Sequence, residues 1–265
     1  MKELINYFIS LTDKKFYVLL RNLLEKLVYN KKFSLFYQNN FYVRKYKDFQ
    51  NIFFYHKERT RLYGRGFKFR LKSLEKIYFL DKIKFKNCDT IIDCGSNIGE
   101  VGLLFKLKKI RVNYFAFEPS NYEYYCLKKN IKKNLHQLYN VALWKHFSNV
   151  DFFIKSETAD SSLFRIKNYD YINKVRCKKL DDYHFNDNIK LLKIEAEGAE
   201  PEVLKGAEKT IKKCNYISVD AGPERGIEQK TTVKEVNQFL LNRNFILMNK
   251  SSQRIVLLFK NRKFI

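Results

Sequence analysis

From Asp89 onward the chain alternates short β-branched or aromatic runs with amphipathic stretches, and no other feature constrains its fold as tightly. The strand-like runs are TIIDC (90–94), VNYFAFE (112–118), YNVAL (139–143), IKLLKIEAE (189–197) and NYISVD (215–220). Apolar periodicity predicts helices over 98–109, 122–133, 202–213 and 233–242. Parallel strands need long crossovers, so this order predicts an α/β fold with a mainly parallel sheet and helices on both faces. The last two runs, FILMN and RIVLLFK, lie only a few residues apart and predict an antiparallel hairpin at the sheet edge. Between YNVAL and IKLLKIEAE, two further strand-like runs, VDFFIK and KVRCKKL, occupy a long insertion.

Residues 1–85 read differently, as a basic, mainly helical extension ahead of a domain at 86–265. Leu4, Phe8, Leu11, Phe16, Leu19, Leu23 and Leu27 recur at helical spacing. Packing of that face on the following domain is the preferred reading; the alternative is peripheral contact with an anionic membrane through residues 1–29. After it come short extended pieces, a turn at Gly64–Gly66 and a helix over 72–83.

The 265 residues carry 52 Lys and Arg against 28 Asp and Glu, a net charge of +24. That excess suits an anionic partner, nucleic acid included, but solvated lysines explain it as well. With 45% hydrophobic residues a core can form. The five scattered cysteines include no C-x-x-C pair, and the four histidines share no spacing, so no metal site is expected. No run approaches a membrane span, the N-terminus is too broken for a signal peptide, and a reducing cytoplasmic location is expected.

The sharpest local signal is Asp93-Cys94-Gly95-Ser96-Asn97-Ile98-Gly99-Glu100, directly after TII and before a helix. Gly95 permits a tight turn, Asn97 tolerates a left-handed backbone, and Gly99 allows close helix packing on the sheet. Glu118, closed off by Pro119, ends the second strand, where an acidic side chain accepts ribose hydroxyls. A diphosphate would be repelled by Asp93 and Glu100, so a phosphate-free, cationic nucleoside fits better. S-adenosylmethionine is such a molecule.

IIDCGSNIGE, AFEPS, NVAL and LLKIEAEGAEPEVLKGA, in that order across roughly 89–250, resemble the FkbM-type methyltransferases. The resemblance implies a Rossmann-like class I methyltransferase sheet. It also implies S-adenosylmethionine bound by Asp93, Gly95, Asn97, Gly99 and Glu118, with Ala142 lining the adenine pocket. Glu195 stands where the family typically has Asp. The resemblance further implies O-methylation of a saccharide or saccharide-linked acceptor.

Lys193, Glu195 and Glu197 alternate with apolar residues, so an extended strand puts all three on one face. Buried charges must pair or line a cavity. One reading gives them catalytic roles, a carboxylate base with Lys193 holding it. The other is a structural network in which Glu197 or Glu200 caps the next helix. Glu200, Asp220 and Arg225, near the AGPERG loop, are candidate acceptor contacts, with a surface turn as the plain alternative for Arg225. Asp160-Ser161-Ser162 is either a flap over the cofactor or a polar turn. Trp144 reads as core. A nucleic-acid methyltransferase is the first rival, disfavoured by the absence of an N-P-P-Y-type turn after the fourth strand; a catalytically silent binding protein is the second.

Overall fold

In a computed structural model of the chain, residues 7–29, 34–132, 136–155, 161–185, 188–251 and 254–265 are described. The first part runs α1 (Lys14–Tyr29), β1 (Ser34–Gln38), β2 (Phe41–Lys45), β3 (Ile52–Phe54), α2 (Lys57–Arg61) and α3 (Phe67–Ile77). The second runs β4 (Thr90–Cys94), α4 (Glu100–Leu107), β5 (Asn113–Phe117), α5 (Asn121–Asn130), β6 (His136–Tyr139), β7 (Ala142–Leu143), β8 (Ser148–Ile154), β9 (Tyr171–Lys178), β10 (Ile189–Ile194), α6 (Glu200–Lys205), β11 (Cys214–Asp220), β12 (Pro223–Arg225), β13 (Lys230–Thr231), α7 (Val233–Leu241), β14 (Phe245–Lys250) and β15 (Val256–Asn261).

Seven strands form the central sheet in the order β14-β15-β11-β10-β4-β5-β6. The pairs from β11 through β6 are parallel, while β15 runs antiparallel to both β11 and β14. The order reverses between β4 and β10, the place where open α/β sheets leave a crevice at their strand ends. All five residues of β4 are buried, as a strand covered on both faces requires.

Two local expectations for the domain change. The third parallel strand is HQLY, and NVAL instead leads into β7. β7 joins β9 and β8 in a separate three-stranded sheet. The helix read over 202–213 stops at Lys205 and resumes as a 3₁₀ turn at Thr210–Lys213. At Gly206 the chain passes so close to the Trp144 carbonyl that a Cβ would stand 2.0 Å from its oxygen.

The extension contains a sheet as well as helices. Asn39 and Asn40, both with positive φ (49° and 63°), make the two-residue turn that joins β1 to β2. The helix read over 72–83 begins earlier, at Phe67, and ends at Ile77. The expected packing face of α1 is reversed. Tyr17, Arg21 and Glu25 are buried, while Phe16, Leu19, Leu23 and Leu27 are exposed. The reason is a polar network that only the inner face can complete. The Arg44 guanidinium donates to both Glu25 oxygens at 2.8 and 2.6 Å and to the Thr60 carbonyl. Tyr17 meets the Thr60 hydroxyl at 2.9 Å.

The extension does not stand apart from the domain. One hydrophobic cluster runs from Tyr17, Leu35 and Phe54 through Leu71 to Leu103, Phe105, Tyr114 and Leu258. Asn130 clips β3 to α5 by accepting from the Phe53 amide at 2.8 Å and donating to the Phe53 and Ile98 carbonyls. Glu100, at the start of α4, accepts from Tyr63 at 2.8 Å and twice from Arg70 at 2.7 Å.

Replacing Arg44 by Ala takes two charged hydrogen bonds from the buried Glu25 and leaves it the ion pair with Arg21. Chemical denaturation should show a loss of about 3 kcal/mol, the low end for breaking a buried ion pair, because Arg21 still compensates part of the charge.

Candidate active site

β4 delivers Asp93 and Cys94 to the crevice, and the chain then turns sharply. The Gly95 and Ser96 amides both donate to the Phe117 carbonyl, at 3.0 and 3.1 Å, so the turn is tied to the end of β5. Gly95 has φ 69°, and a Cβ there would sit 1.8 Å from the Glu195 carbonyl oxygen. The close approach that requires glycine is therefore to the neighbouring backbone. Asn97 is left-handed as expected, with φ 48°. Gly99 packs against α5 and its end, not the sheet: an added Cβ would fall 2.7–2.8 Å from Ile131 and Leu127.

Glu118 is buried at the end of β5. One carboxylate oxygen accepts the Asn97 amide at 2.8 Å and the other the Ser120 amide at 2.9 Å. Burial, and next the Glu123 charge, push its pKa up to about 8. Glu123 itself pairs with His56 at 2.8 Å and with Ser120, so the extension reaches this corner too.

The ammonium of Lys193, on β10, is almost completely enclosed. It stands 3.1 Å from Asp93 and 3.0 Å from Glu195, and donates to the carbonyls of Gly95 (2.8 Å) and Cys94 (3.3 Å). Tyr114 donates to the second Asp93 oxygen at 2.5 Å. Burial opposes the charge on Lys193, but Asp93 and Glu195 outweigh it and raise its pKa. Burial likewise opposes the charge on Glu195. Lys193 and Arg254 reverse that and hold its carboxyl well below the usual carboxylate range. Arg254 bridges Glu195 and Asp220, and Tyr78 hydrogen-bonds Glu195.

β10 ends at Ile194, although the Glu195 amide still donates to the Cys94 carbonyl at 3.1 Å. Lys193 and Glu195 thus share a side as expected. Glu197 does not continue the alternation, because it takes a left-handed φ of 49° in the turn that follows.

These groups line a cleft of about 970 Å³, measured with its open mouth. Asp93, Gly95, Ser96, Asn97 and Glu118 form its polar wall, and Phe117, Val141, Ala142, Leu143 and Phe152 its apolar end; Gly99, an expected cofactor contact, does not line it and packs on Ile131 and Leu127 instead. Arg59, Arg70, Leu74 and Tyr78 of the extension complete it. The cleft shares Arg59, Glu195, Glu197 and Arg254 with a second pocket of about 1160 Å³, whose lining includes Lys155, Ser162, Lys167, Pro223, Glu224 and Gln229.

The three expected acceptor contacts are placed elsewhere. Glu200 caps its own turn, accepting the Ala196 and Gly198 amides at 3.0 Å and the Thr232 hydroxyl at 2.8 Å. Arg225 forks onto Glu202 at 2.8 Å and stacks over Phe164. Asp220 stands behind Arg254 and lines neither pocket. Ser161 is on the cleft wall, and Ser162 donates to the Glu197 carbonyl at 2.7 Å, while Asp160 lies outside the described residues. Trp144 is buried among Ala142, Cys177 and Ala199.

Sequence reasoning missed Tyr78, Arg59, Arg254 and Glu224. The first three lie far from the motifs in sequence and carry no local signal. Glu224 stands inside the AGPERG loop, where a carboxylate beside a strand end was visible. One of its buried oxygens has no hydrogen-bond partner among the described residues, and burial followed by the Asp220 charge pushes its pKa up to about 8. Among the described residues no group of three His, Cys, Asp or Glu side chains is arranged to hold a metal.

A family model described as the methyltransferase FkbM domain matches residues 93–247, more than half of the chain. The chain belongs to the FkbM methyltransferase family. A SAM-dependent methyltransferase from Aquifex aeolicus is similar with 11% identity and a TM-score of 0.43, covering 72% of this chain and 96% of that one. For a putative rRNA-methylase from Clostridium thermocellum the values are 13%, 0.44, 71% and 94%. No curated protein matches the sequence.

The methyl donor of an FkbM methyltransferase is S-adenosylmethionine, and the cleft fits it. Ser96 Oγ, buried on the wall, lacks a hydrogen-bond partner among the described residues, as an atom awaiting a polar ligand would, while Asp93 Oδ1 faces the Lys193 ammonium. Each Glu118 oxygen holds one amide and keeps a lone pair for a ribose hydroxyl. The apolar end around Ala142 suits an adenine ring.

Two outcomes test this geometry. Hydroxyl donors favour the Glu118 carboxylate, so binding of S-adenosylhomocysteine should release a proton and tighten as pH rises toward about 8, levelling off above it. Calorimetry on Glu118→Gln should show weaker binding without that slope. Lys193→Met removes the charge that depresses the Glu195 pKa. That stabilisation is present above the ordinary glutamate value of 4.5 and lost as pH falls below it. The variant should therefore be about 3–5 kcal/mol less stable at pH 7, with the gap to wild type narrowing below pH 4.5 in denaturation curves.

Proposed function

We propose that the chain transfers a methyl group to a hydroxyl oxygen of a saccharide or saccharide-linked acceptor seated in the second pocket. The observation that carries this reading is the continuity of the two pockets through Glu195, Glu197, Arg59 and Arg254, which brings a polar, carboxylate-bearing chamber against the cofactor cleft. When bound, S-adenosylmethionine supplies a methyl group already activated by its sulfonium. Asp93 and Glu118 hold the nucleoside end. Lys193 and Glu195 are positioning residues: their ion pair fixes the turns after β4 and β10 against each other.

Glu195 does not serve as the base, since Lys193, Arg254 and Tyr78 leave its carboxylate with little affinity for a proton. Glu224 does. Its raised pKa, about 8, lets it take the acceptor proton near neutral pH, a contribution on the order of 10²–10⁴-fold. Glu197, on the wall common to both pockets, orients the acceptor hydroxyl. Alignment of that oxygen accounts for up to roughly 7–11 kcal/mol of the barrier.

Transfer of labelled methyl from S-adenosylmethionine to a panel of nucleoside-diphosphate sugars and oligosaccharides, with RNA oligonucleotides alongside, tests the reading. Incorporation into a saccharide is expected. Glu224→Gln should lower kcat by roughly 10²–10⁴-fold with unchanged S-adenosylhomocysteine binding. Incorporation into RNA alone would replace the acceptor class with the one the +24 charge suits. Cofactor binding without transfer to any acceptor would favour a silent binding protein.

A further inference from the structure

Six large side chains at the N-terminal end, Phe8, Leu11, Phe16, Leu19, Leu23 and Leu27, are each more than half exposed. At 100° per residue, Phe16, Leu19, Leu23 and Leu27 fall on one narrow stripe of α1. None belongs to a hydrophobic cluster of the described residues, whereas Leu20 and Leu24 on the adjoining face, and Val18 on the far one, pack onto the core. A contiguous exposed stripe of this kind marks an interaction surface.

Charge selects the occupant. Lys15 and Lys26 are exposed and flank the stripe along one edge. The segment beyond α2 packs against the inner face of α1, where Gly64 approaches Arg21, and together with the last residue of α2 it shows Arg61, Leu62 and Arg65 to solvent. Residues 1–88 hold 21 Lys and Arg against 7 Asp and Glu. A second copy would bring like charge against like, while an anionic lipid surface supplies both the apolar layer and the countercharge. Among the described residues no helix is long and apolar enough to cross a membrane, so α1 would lie in the interface plane.

We propose that this face of α1 docks the protein onto an anionic lipid surface. Phe16, Leu19, Leu23 and Leu27 enter the boundary between headgroups and acyl chains, and Lys15 and Lys26 sit at the level of the phosphates. α2, tied to α1 by Tyr17 and Thr60, carries Arg59 onto the lining of both pockets, so docking leaves the cleft one helix away from the lipid.

Sedimentation of the full chain with phosphatidylcholine vesicles, with and without phosphatidylglycerol, tests the proposal, with Leu19→Glu/Leu23→Glu as the variant. Both leucines are exposed, so the variant should keep the thermal midpoint and S-adenosylhomocysteine affinity of wild type. The wild type should sediment with phosphatidylglycerol vesicles, less so at high salt, and the variant's partition coefficient should fall by at least about tenfold. Wild type that stays in solution with both vesicle types would overturn the proposal. So would equal sedimentation of wild type and variant. A dimer in sedimentation velocity that the variant dissociates, without lipid binding, would assign the stripe to a second copy instead.

Discussion

One buried ammonium holds the active end of the sheet together. Lys193 draws in the carboxylates of Asp93 and Glu195 and the carbonyls of Cys94 and Gly95. These four groups belong to the ends of β4 and β10, where the strand order reverses. Without a cation between them, the carboxylates would repel in a medium of low dielectric, and the crevice would have no fixed floor. The turn glycine depends on the same closeness, because Gly95 is pressed against the Glu195 carbonyl.

From that floor the electrostatics divide the site into two chambers. Around Lys193 and Arg254 the carboxylates are saturated: Glu195 has three partners and a depressed pKa, and Asp220 is spent on Arg254. The shift opposite to that of Glu195 is found at Glu118, on the wall of the first cleft, and at Glu224, in the second pocket, each near 8. A chemistry that needs one fixed frame and one movable proton finds both within a single crevice.

The central sheet was legible because periodicity and crossover length are local properties. Asp93, Asn97 and Glu118 were legible because a strand end, a left-handed turn and an acidic residue before proline leave local marks. The β1–β2 hairpin left a mark in Asn39-Asn40 that alternating apolar residues on either side could have made readable. Other features depend on partners remote in sequence. Glu200, Asp220 and Arg225 had the right residue types near the right strand ends, yet Thr232, Arg254 and Glu202 had already taken them. Periodicity showed that α1 has an apolar stripe but not which way it turns. The decision came from Arg44, whose bond to Glu25 pulls the helix round. Tyr78 and Arg254 reach the crevice only through the tertiary fold.

Glu100 belongs to the glycine turn by sequence, but its carboxylate is consumed by Tyr63 and Arg70 of the extension. Arg70 keeps that buried carboxyl ionised against the cost of burial. The two parts of the chain are consequently not interchangeable modules. A chimera that joins this catalytic sheet to an unrelated leader inherits a charged group in its interior with no counterpart. Such a graft succeeds only if position 100 is rewritten along with the junction.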